Sequence, residues 1–299
     1  MRDFDYQAPT TLAEASKMLG SGAARPMAGG TDLIDQVRVG RLTPDVVVDL
    51  KKLPELNVLQ LDGNGLRLGA AVPCYKVYEH EGICKQYAAL AESAALIGGI
   101  QVQSRASIGG NLCNAGPAAD SIPSLIALGA VAVIQSGAGT KEVPVEKFCT
   151  GPGKNVLQPG EFLVELKFPA RPAKSGSAYQ RFIPRYEMDI AVVGVGAAVT
   201  LDETGTKITA ARIGLGAVGP TPIYAEAAGG ALVGQAIGDD VIRKAAEAAR
   251  GVATPIDDMR GTKEFRLHVT GVLVERVLKQ AIARAQGKGD SCCGGSGCH

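Results

Sequence analysis

Histidine is scarce in this chain: among 299 residues only His80, His268 and His299 occur, none in a metal-ligand or nucleophile-activating spacing. No GxSxG and no HExxH is present, so hydrolytic chemistry is poorly supplied. No GxxxxGK[ST] loop exists either, which removes the support for nucleoside triphosphate hydrolysis. Basic runs are missing as well: 31 basic against 30 acidic residues leave a net charge of +1, without the footprint of a nucleic-acid or anionic-membrane binder. The longest apolar runs, Leu125 to Ile134 and Ile190 to Val199, fall far short of the ~20 residues that span a bilayer. The start, Met1 to Tyr6, lacks the apolar stretch of a secretory leader. The expectation is a cytoplasmic protein with a small ligand, no nucleic acid and no transmembrane segment.

What is present is ample material for a core, 46% hydrophobic residues, in a chain long enough for two or three packed units. Cys74, Cys84, Cys113 and Cys149 are scattered without metal spacing and read as reduced, mostly packed thiols. Thr11 to Leu19 reads as an amphipathic helix capped at Thr10 or Thr11 and closed by Gly20. Asp32 to Val39 has helical periodicity, and Val46 to Leu50 reads as a buried strand. A hairpin is signalled by Asp62-Gly63-Asn64-Gly65 between alternating leucines, followed by helices near Tyr75 to Glu79, Gln86 to Ala95 and Ser121 to Leu128. Strands are expected at Ala130 to Gln135 and Glu161 to Phe168. After Pro169-Ala170-Arg171-Pro172 come strands near Ala178 to Ile183, Ile190 to Leu201 and Lys207 to Leu215, then helices at Pro222 to Leu232, Asp239 to Arg250 and Lys263 to Arg284. Strands grouped before helices argue for an α+β fold. The expected units are 1–55, 56–170 and 171–287, with 288–299 as a Cys- and Gly-rich tail.

Two segments carry the chemistry. Met27-Ala28-Gly29-Gly30-Thr31-Asp32 and Ala106-Ser107-Ile108-Gly109-Gly110-Asn111 lie about eighty positions apart, each a Gly-Gly step followed by a short polar side chain. Read as loops, they let backbone amides converge without Cβ interference and make an anion-binding concavity. Two such loops suggest two phosphates, or one diphosphate held from both sides. Gly214-Leu215-Gly216-Ala217-Val218-Gly219 also matches GxGxxG, but Pro220 and Pro222 forbid the helix that a dinucleotide fingerprint requires after it. It reads as a strand end. Anion loops with few acid-base groups describe a chain whose bound cofactor does the reaction.

Ala28 to Leu33, together with Ser107-Ile108-Gly109-Gly110-Asn111-Leu112-Cys113-Asn114-Ala115-Gly116-Pro117-Ala118-Ala119-Asp120, resembles the FAD-binding medium subunit of the molybdenum hydroxylases. That family includes carbon monoxide, xanthine and nicotinate-type dehydrogenases. The resemblance runs from the first residues to about Gly287. It implies a vanillyl-alcohol-oxidase (PCMH)-type FAD-binding fold of two α+β subdomains, with a C-terminal antiparallel sheet and helices. It further implies that Pro26, Met27, Ala28, Gly29, Gly30, Thr31, Asp32 and Leu33 wrap the FAD diphosphate. Ser107, Ile108, Gly109, Gly110 and Asn111 would close on it from the second subdomain, with Ala115 in the same motif. By position, Asp120 matches an acceptor for ribose or ribityl hydroxyls, while Ile97 and Leu163 match apolar contacts and are equally readable as core. Arg181 stands where the family often has Lys near the isoalloxazine; Arg181 and Arg185 are equally readable as surface cations pairing with Glu187 or Asp189. No catalytic acid or base is expected here.

The resemblance implies an electron-transfer role between a small subunit with [2Fe-2S] clusters, a large molybdopterin subunit and an acceptor that is NAD, a quinone or oxygen, in a dimer of heterotrimers. Two rivals remain open at this point: an independent flavin oxidase or dehydrogenase of the same fold, and a cofactor-free scaffold. The tail's Cys292, Cys293, Cys298 and His299 supply soft ligands for zinc or iron, within a Gly/Ser composition typical of linkers, and a partner contact is also open.

Overall fold

The structure is a computed structural model that describes residues 2–185 and 188–289. Three sheets follow one another along it. The first is parallel, with strands β1 (Asp5–Gln7), β2 (Ala24–Met27) and β3 (Val46–Asp49) in the order β1-β3-β2. Val46-Val47-Val48 is apolar throughout because the central strand of a parallel sheet is covered on both faces. Helix α1 (Leu12–Leu19) connects β1 to β2, and the Thr11 hydroxyl accepts from the Glu14 amide as its N-cap. Helix α2 (Leu33–Arg38) follows β2, leaving residues 28–32 as the link between them.

The second sheet is antiparallel. Its strands are β4 (Leu59–Asp62), β5 (Gly65–Gly69), β6 (Val131–Ser136), β7 (Gly139–Pro144) and, after a small hairpin of β8 (Cys149–Gly151) and β9 (Lys154–Asn155), β10 (Phe162–Pro169). The order is β4-β5-β10-β6-β7. Six helices lie between β5 and β6: α3 (Cys74–Tyr78), α4 (Glu81–Gln86), α5 (Ala88–Ala95), α6 (Ile100–Gln103), α7 (Ile108–Asn114) and α8 (Ser121–Ala127). The expected helix from Gln86 is divided at Tyr87, whose φ of −126° and ψ of 48° leave the helical region. The Tyr87 ring is fully buried and its hydroxyl donates to the Pro169 carbonyl at 2.8 Å. Both sheets share one hydrophobic core, from Ala15, Leu19 and Val48 to Leu66, Ile134 and Phe168.

The third sheet, β11 (Ser175–Phe182), β12 (Val193–Leu201), β13 (Ile208–Gly216) and β14 (Ile223–Tyr224), is an antiparallel meander. Helices α9 (Glu226–Gly230), α10 (Asp239–Val252) and α11 (Lys263–Ala285) complete it around a second core. Its other face receives α8. A Cβ at Gly196 or Gly214 would stand 2.7 or 2.3 Å from backbone atoms of Pro123, so glycine is what permits this approach. The GxGxxG match therefore marks a packing surface at a strand end. Among the described residues no helix is long and apolar enough to cross a membrane.

Candidate functional site

The first Gly-Gly segment lies between β2 and α2, as a true loop. Gly30 adopts φ +78°, a left-handed conformation that side chains disfavour. Gly29 is pressed against the other motif: a Cβ on it would stand 1.9 Å from the Arg105 carbonyl oxygen. The loop's carbonyls are engaged by cations. Lys51 Nζ donates to Ala28 O at 2.9 Å, and Arg105 Nε donates to Gly29 O at 3.3 Å. Lys51 is itself held by Asp49 Oδ1 at 2.7 Å, and Asp49 Oδ2 accepts from the Tyr6 hydroxyl at 2.6 Å. Burial works against the Asp49 charge, but hydrogen bonds from Lys51 and Tyr6 outweigh it and hold the carboxyl below its ordinary value. The amides of Gly29, Gly30 and Thr31 donate to no protein acceptor among the described residues. Three neighbouring unpaired donors in a loop form an anion-receptive arrangement.

The second Gly-Gly segment is a helix start, which corrects the loop expected from its composition. Ser107, extended at φ −124°, is the N-cap of α7, and its Oγ accepts from the Gly110 amide at 3.0 Å. Gly109 is helical and lies on Ala70: a Cβ there would come within 2.5 Å of the Ala70 carbonyl oxygen. Close packing of this helix against the end of β5 therefore overrides the poor helix propensity of two glycines. A Cβ on Gly110 would meet only the Ser107 hydroxyl, at 3.1 Å. Asn111 Oδ1 accepts from Ser121 Oγ at 2.6 Å, so this side chain ties α7 to α8. Ala115 ends the helix in the left-handed conformation at φ +50°, and its carbonyl accepts from the Gly153 amide at 3.0 Å.

Between the two segments opens a cavity of about 500 Å³. Pro26, Ala28, Gly109, Gly110 and Leu163, all singled out in the sequence, line it. Met27 packs beneath Gly30, Ile108 is in the core, Leu33 is half-buried, and Thr31 and Asp32 are exposed at the loop's outer edge. Although Asp32 reaches solvent, partial desolvation by the protein around it and then the Asp35 charge raise its carboxyl. Cys113, which follows the second segment in the sequence, lines the cavity too, whereas sequence reasoning missed the opposite wall, Asn155 and Leu157 to Phe162. Its available signal was Pro159-Gly160, a turn dipeptide. Gly160 sits at φ +81° and its carbonyl accepts from Ser16 Oγ at 2.6 Å, which fixes that wall to α1. Burial, and then Cys149 nearby, push the Cys113 thiol up to about 12, which keeps it in the neutral form.

Asp120, Arg181 and Tyr179 form a separate cluster where α8 meets the third sheet, outside the cavity lining. Asp120 Oδ1 accepts from the Tyr179 hydroxyl at 2.8 Å and Oδ2 from Arg181 Nη1 at 2.7 Å. Burial pushes the Asp120 carboxyl up to about 6, against the opposing pull of Arg181 and Tyr179. Arg181 Nε is buried without a hydrogen-bond partner. Of the surface alternatives, Arg185 pairs with Asp189 at 3.3 Å, whereas Arg181 pairs inward; Glu187 lies outside the described residues. Ile97 is half-buried against the main core. The tail residues Cys292, Cys293, Cys298 and His299 lie outside the described residues.

Among the described residues, a paired set of small-residue segments beside a cavity, with three unpaired amides, makes an arrangement suited to a diphosphate-bearing cofactor. Comparison with known proteins identifies which. Residues 2–171 match the model of the FAD binding domain in molybdopterin dehydrogenase, and 177–281 match the CO dehydrogenase flavoprotein C-terminal domain; the chain belongs to this family. It is 32% identical to the carbon monoxide dehydrogenase medium chain of Afipia carboxidovorans over 285 residues, covering 95% of this chain and 98% of that one. It is likewise 32% identical to the putative xanthine dehydrogenase FAD-binding subunit of Escherichia coli K12 over 292 residues, 96% and 99% of the two chains. The carbon monoxide dehydrogenase structure from Hydrogenophaga pseudoflava superposes with a TM-score of 0.90 at 31% identity, over 95% of this chain and 98% of that one. The α+β fold, the FAD cofactor and the oxidoreductase-subunit class expected from the sequence agree with these findings. The relatives are named as chains or subunits of larger dehydrogenases.

Proposed function

We propose that this chain is the FAD-carrying electron-transfer subunit of a cytoplasmic molybdenum hydroxylase, working beside a small iron-sulphur subunit and a large molybdopterin subunit in a dimer of heterotrimers. One observation carries the reading: the unpaired amides of Gly29, Gly30 and Thr31 lie in a loop whose Gly29 is packed on Arg105, just ahead of α7, where Gly110 lines the cavity and offers it no side chain. Such donors suit a diphosphate, which needs charge-compatible N–H groups and tolerates no Cβ branch in its place. When bound, FAD supplies the conversion between one-electron arrivals and two-electron delivery to NAD, a quinone or oxygen.

In this reading Pro26 to Leu33 and Ser107 to Asn111 hold the diphosphate, while Leu163 and Ile97 give apolar contact. Asp120 accepts from Tyr179 and Arg181 and keeps lone pairs on both oxygens for a ribose or ribityl hydroxyl, and it also fixes Arg181, a buried planar cation suited to an electron-rich ring edge. The chain divides for this task into 1–55 and 56–170, which share the cofactor, and 171–287, which closes over α8. Co-purification with its chromosomal neighbours, followed by flavin absorbance, tests the proposal. Bleaching by substrate should need the partner subunits. A lone chain that reduces its own flavin with a small substrate would instead make it an independent dehydrogenase.

A further inference from the structure

Lys51 and Arg105 stand outside both glycine steps, yet each reaches a carbonyl of the first loop. Lys51 Nζ lies 2.9 Å from Ala28 O and Arg105 Nε 3.3 Å from Gly29 O. Every peptide bond in the described chain is trans, and in a planar trans peptide the C=O and the following N–H point in opposite directions. Holding Ala28 O therefore aims the Gly29 amide away from Lys51, and holding Gly29 O aims the Gly30 amide away from Arg105. These are two of the three amides that find no acceptor within the protein. Lys51 is not free to wander, since Asp49 grips it at 2.7 Å and Tyr6 grips Asp49. Arg105 spans the seam itself, because its own carbonyl is the atom against which Gly29 is packed.

We infer that Lys51 and Arg105 are positioning residues for the cofactor's diphosphate, acting through the Ala28 and Gly29 carbonyls to aim the Gly29 and Gly30 amides; this rests on the FAD reading above. The clamp resists the flip that would turn either carbonyl oxygen toward an anion. It also leaves two cations behind the loop, where they offset the diphosphate charge without touching it.

The test uses the full chain stripped of flavin and titrated with FAD, in wild type, Lys51→Met, Arg105→Met and Lys51→Arg, with phosphorus NMR of the bound diphosphate. Each Met variant should weaken FAD binding by about tenfold or more, the worth of one charge-assisted hydrogen bond. Its bound phosphorus signals should move toward those of free FAD, and Lys51→Arg should restore most of both. The loss should persist at high ionic strength, because aimed amides carry it; a loss abolished by salt would make the effect plain charge attraction and overturn the clamp. Should Lys51→Met fail to fold without its grip on Asp49, Arg105→Met and Lys51→Arg decide the matter. Met variants equal to wild type in affinity and phosphorus signal overturn the clamp alone. A wild-type chain that takes up no FAD overturns the cofactor reading and the clamp with it.

Discussion

At Gly29-Gly30 the chain runs as a loop whose second glycine takes φ +78°, whereas at Gly109-Gly110 nearly the same letters open a helix. The division of labour is nevertheless shared. In each pair the first glycine is there for contact: Gly29 against the Arg105 backbone and Gly109 against Ala70. The second glycine of each pair meets only side-chain atoms, from 3.3 Å at Gly30 and at 3.1 Å at Gly110. A Gly-Gly step thus specifies one crowded side and one more open side, and leaves the backbone conformation to the surrounding fold.

The strongest way to break this comparison is to fill the crowded sides. Gly29→Ala and Gly109→Ala each place a methyl on backbone that cannot step aside, so each should cost about 1–3 kcal/mol or more in thermal unfolding and release FAD. A wild-type unfolding temperature in either would refute the close approach. Gly110→Val should separate the two roles: unfolding near wild type, flavin retention lost, since only the Ser107 hydroxyl stands near the new Cβ. Retained flavin there would remove α7 from the cofactor site.

The Asp32 and Asp120 carboxylates allow a finer contrast: lost solvation raises both, the exposed Asp32 with help from Asp35 and the enclosed Asp120 to about 6. The folded-state value of Asp120 exceeds the ordinary carboxylate value of about 3.9, so the folded protein binds that proton more tightly. Its contribution to stability is therefore full below about pH 4 and declines as the pH rises to about 6. Asp120→Asn should flatten that decline, by about 1–3 kcal/mol across the window, in unfolding curves measured at stepped pH. An unchanged profile would mean that Arg181 and Tyr179 keep the carboxylate ionised throughout. Smallest is Ser107→Ala, which removes an N-cap and should cost about 1 kcal/mol, with no counterpart in the first loop, where Asp32 makes no capping bond.

Local signals carried much of the fold. Thr11 before an amphipathic run, Asp62-Gly63-Asn64-Gly65 between leucines, and the long helices α10 and α11 each state their structure within a few residues. What escaped depends on distant partners. The break at Tyr87 comes from a ring anchored to Pro169, and the helical state of Gly109-Gly110 comes from Ala70, both remote in sequence. Three of the cavity's lining residues, Ala28, Gly109 and Gly110, were legible as a small-residue pattern and Pro26 and Leu163 through the family resemblance, while the wall from Asn155 to Phe162 carries no motif beyond its turn. Lys51 and Arg105 were invisible as site residues for the same reason: a cation that grips a carbonyl leaves no spacing to read.

The glycines of the third sheet set a rule for recombining this protein with its relatives. Gly196, Gly214 and Gly216 all abut Pro123, a single residue of α8. The C-terminal module is thus keyed to one helix of the other half by the absence of side chains. A chimera that transplants residues 177–281 from a relative must import the matching α8 as well, or a single methyl on the wrong side of that seam will keep the two halves from closing.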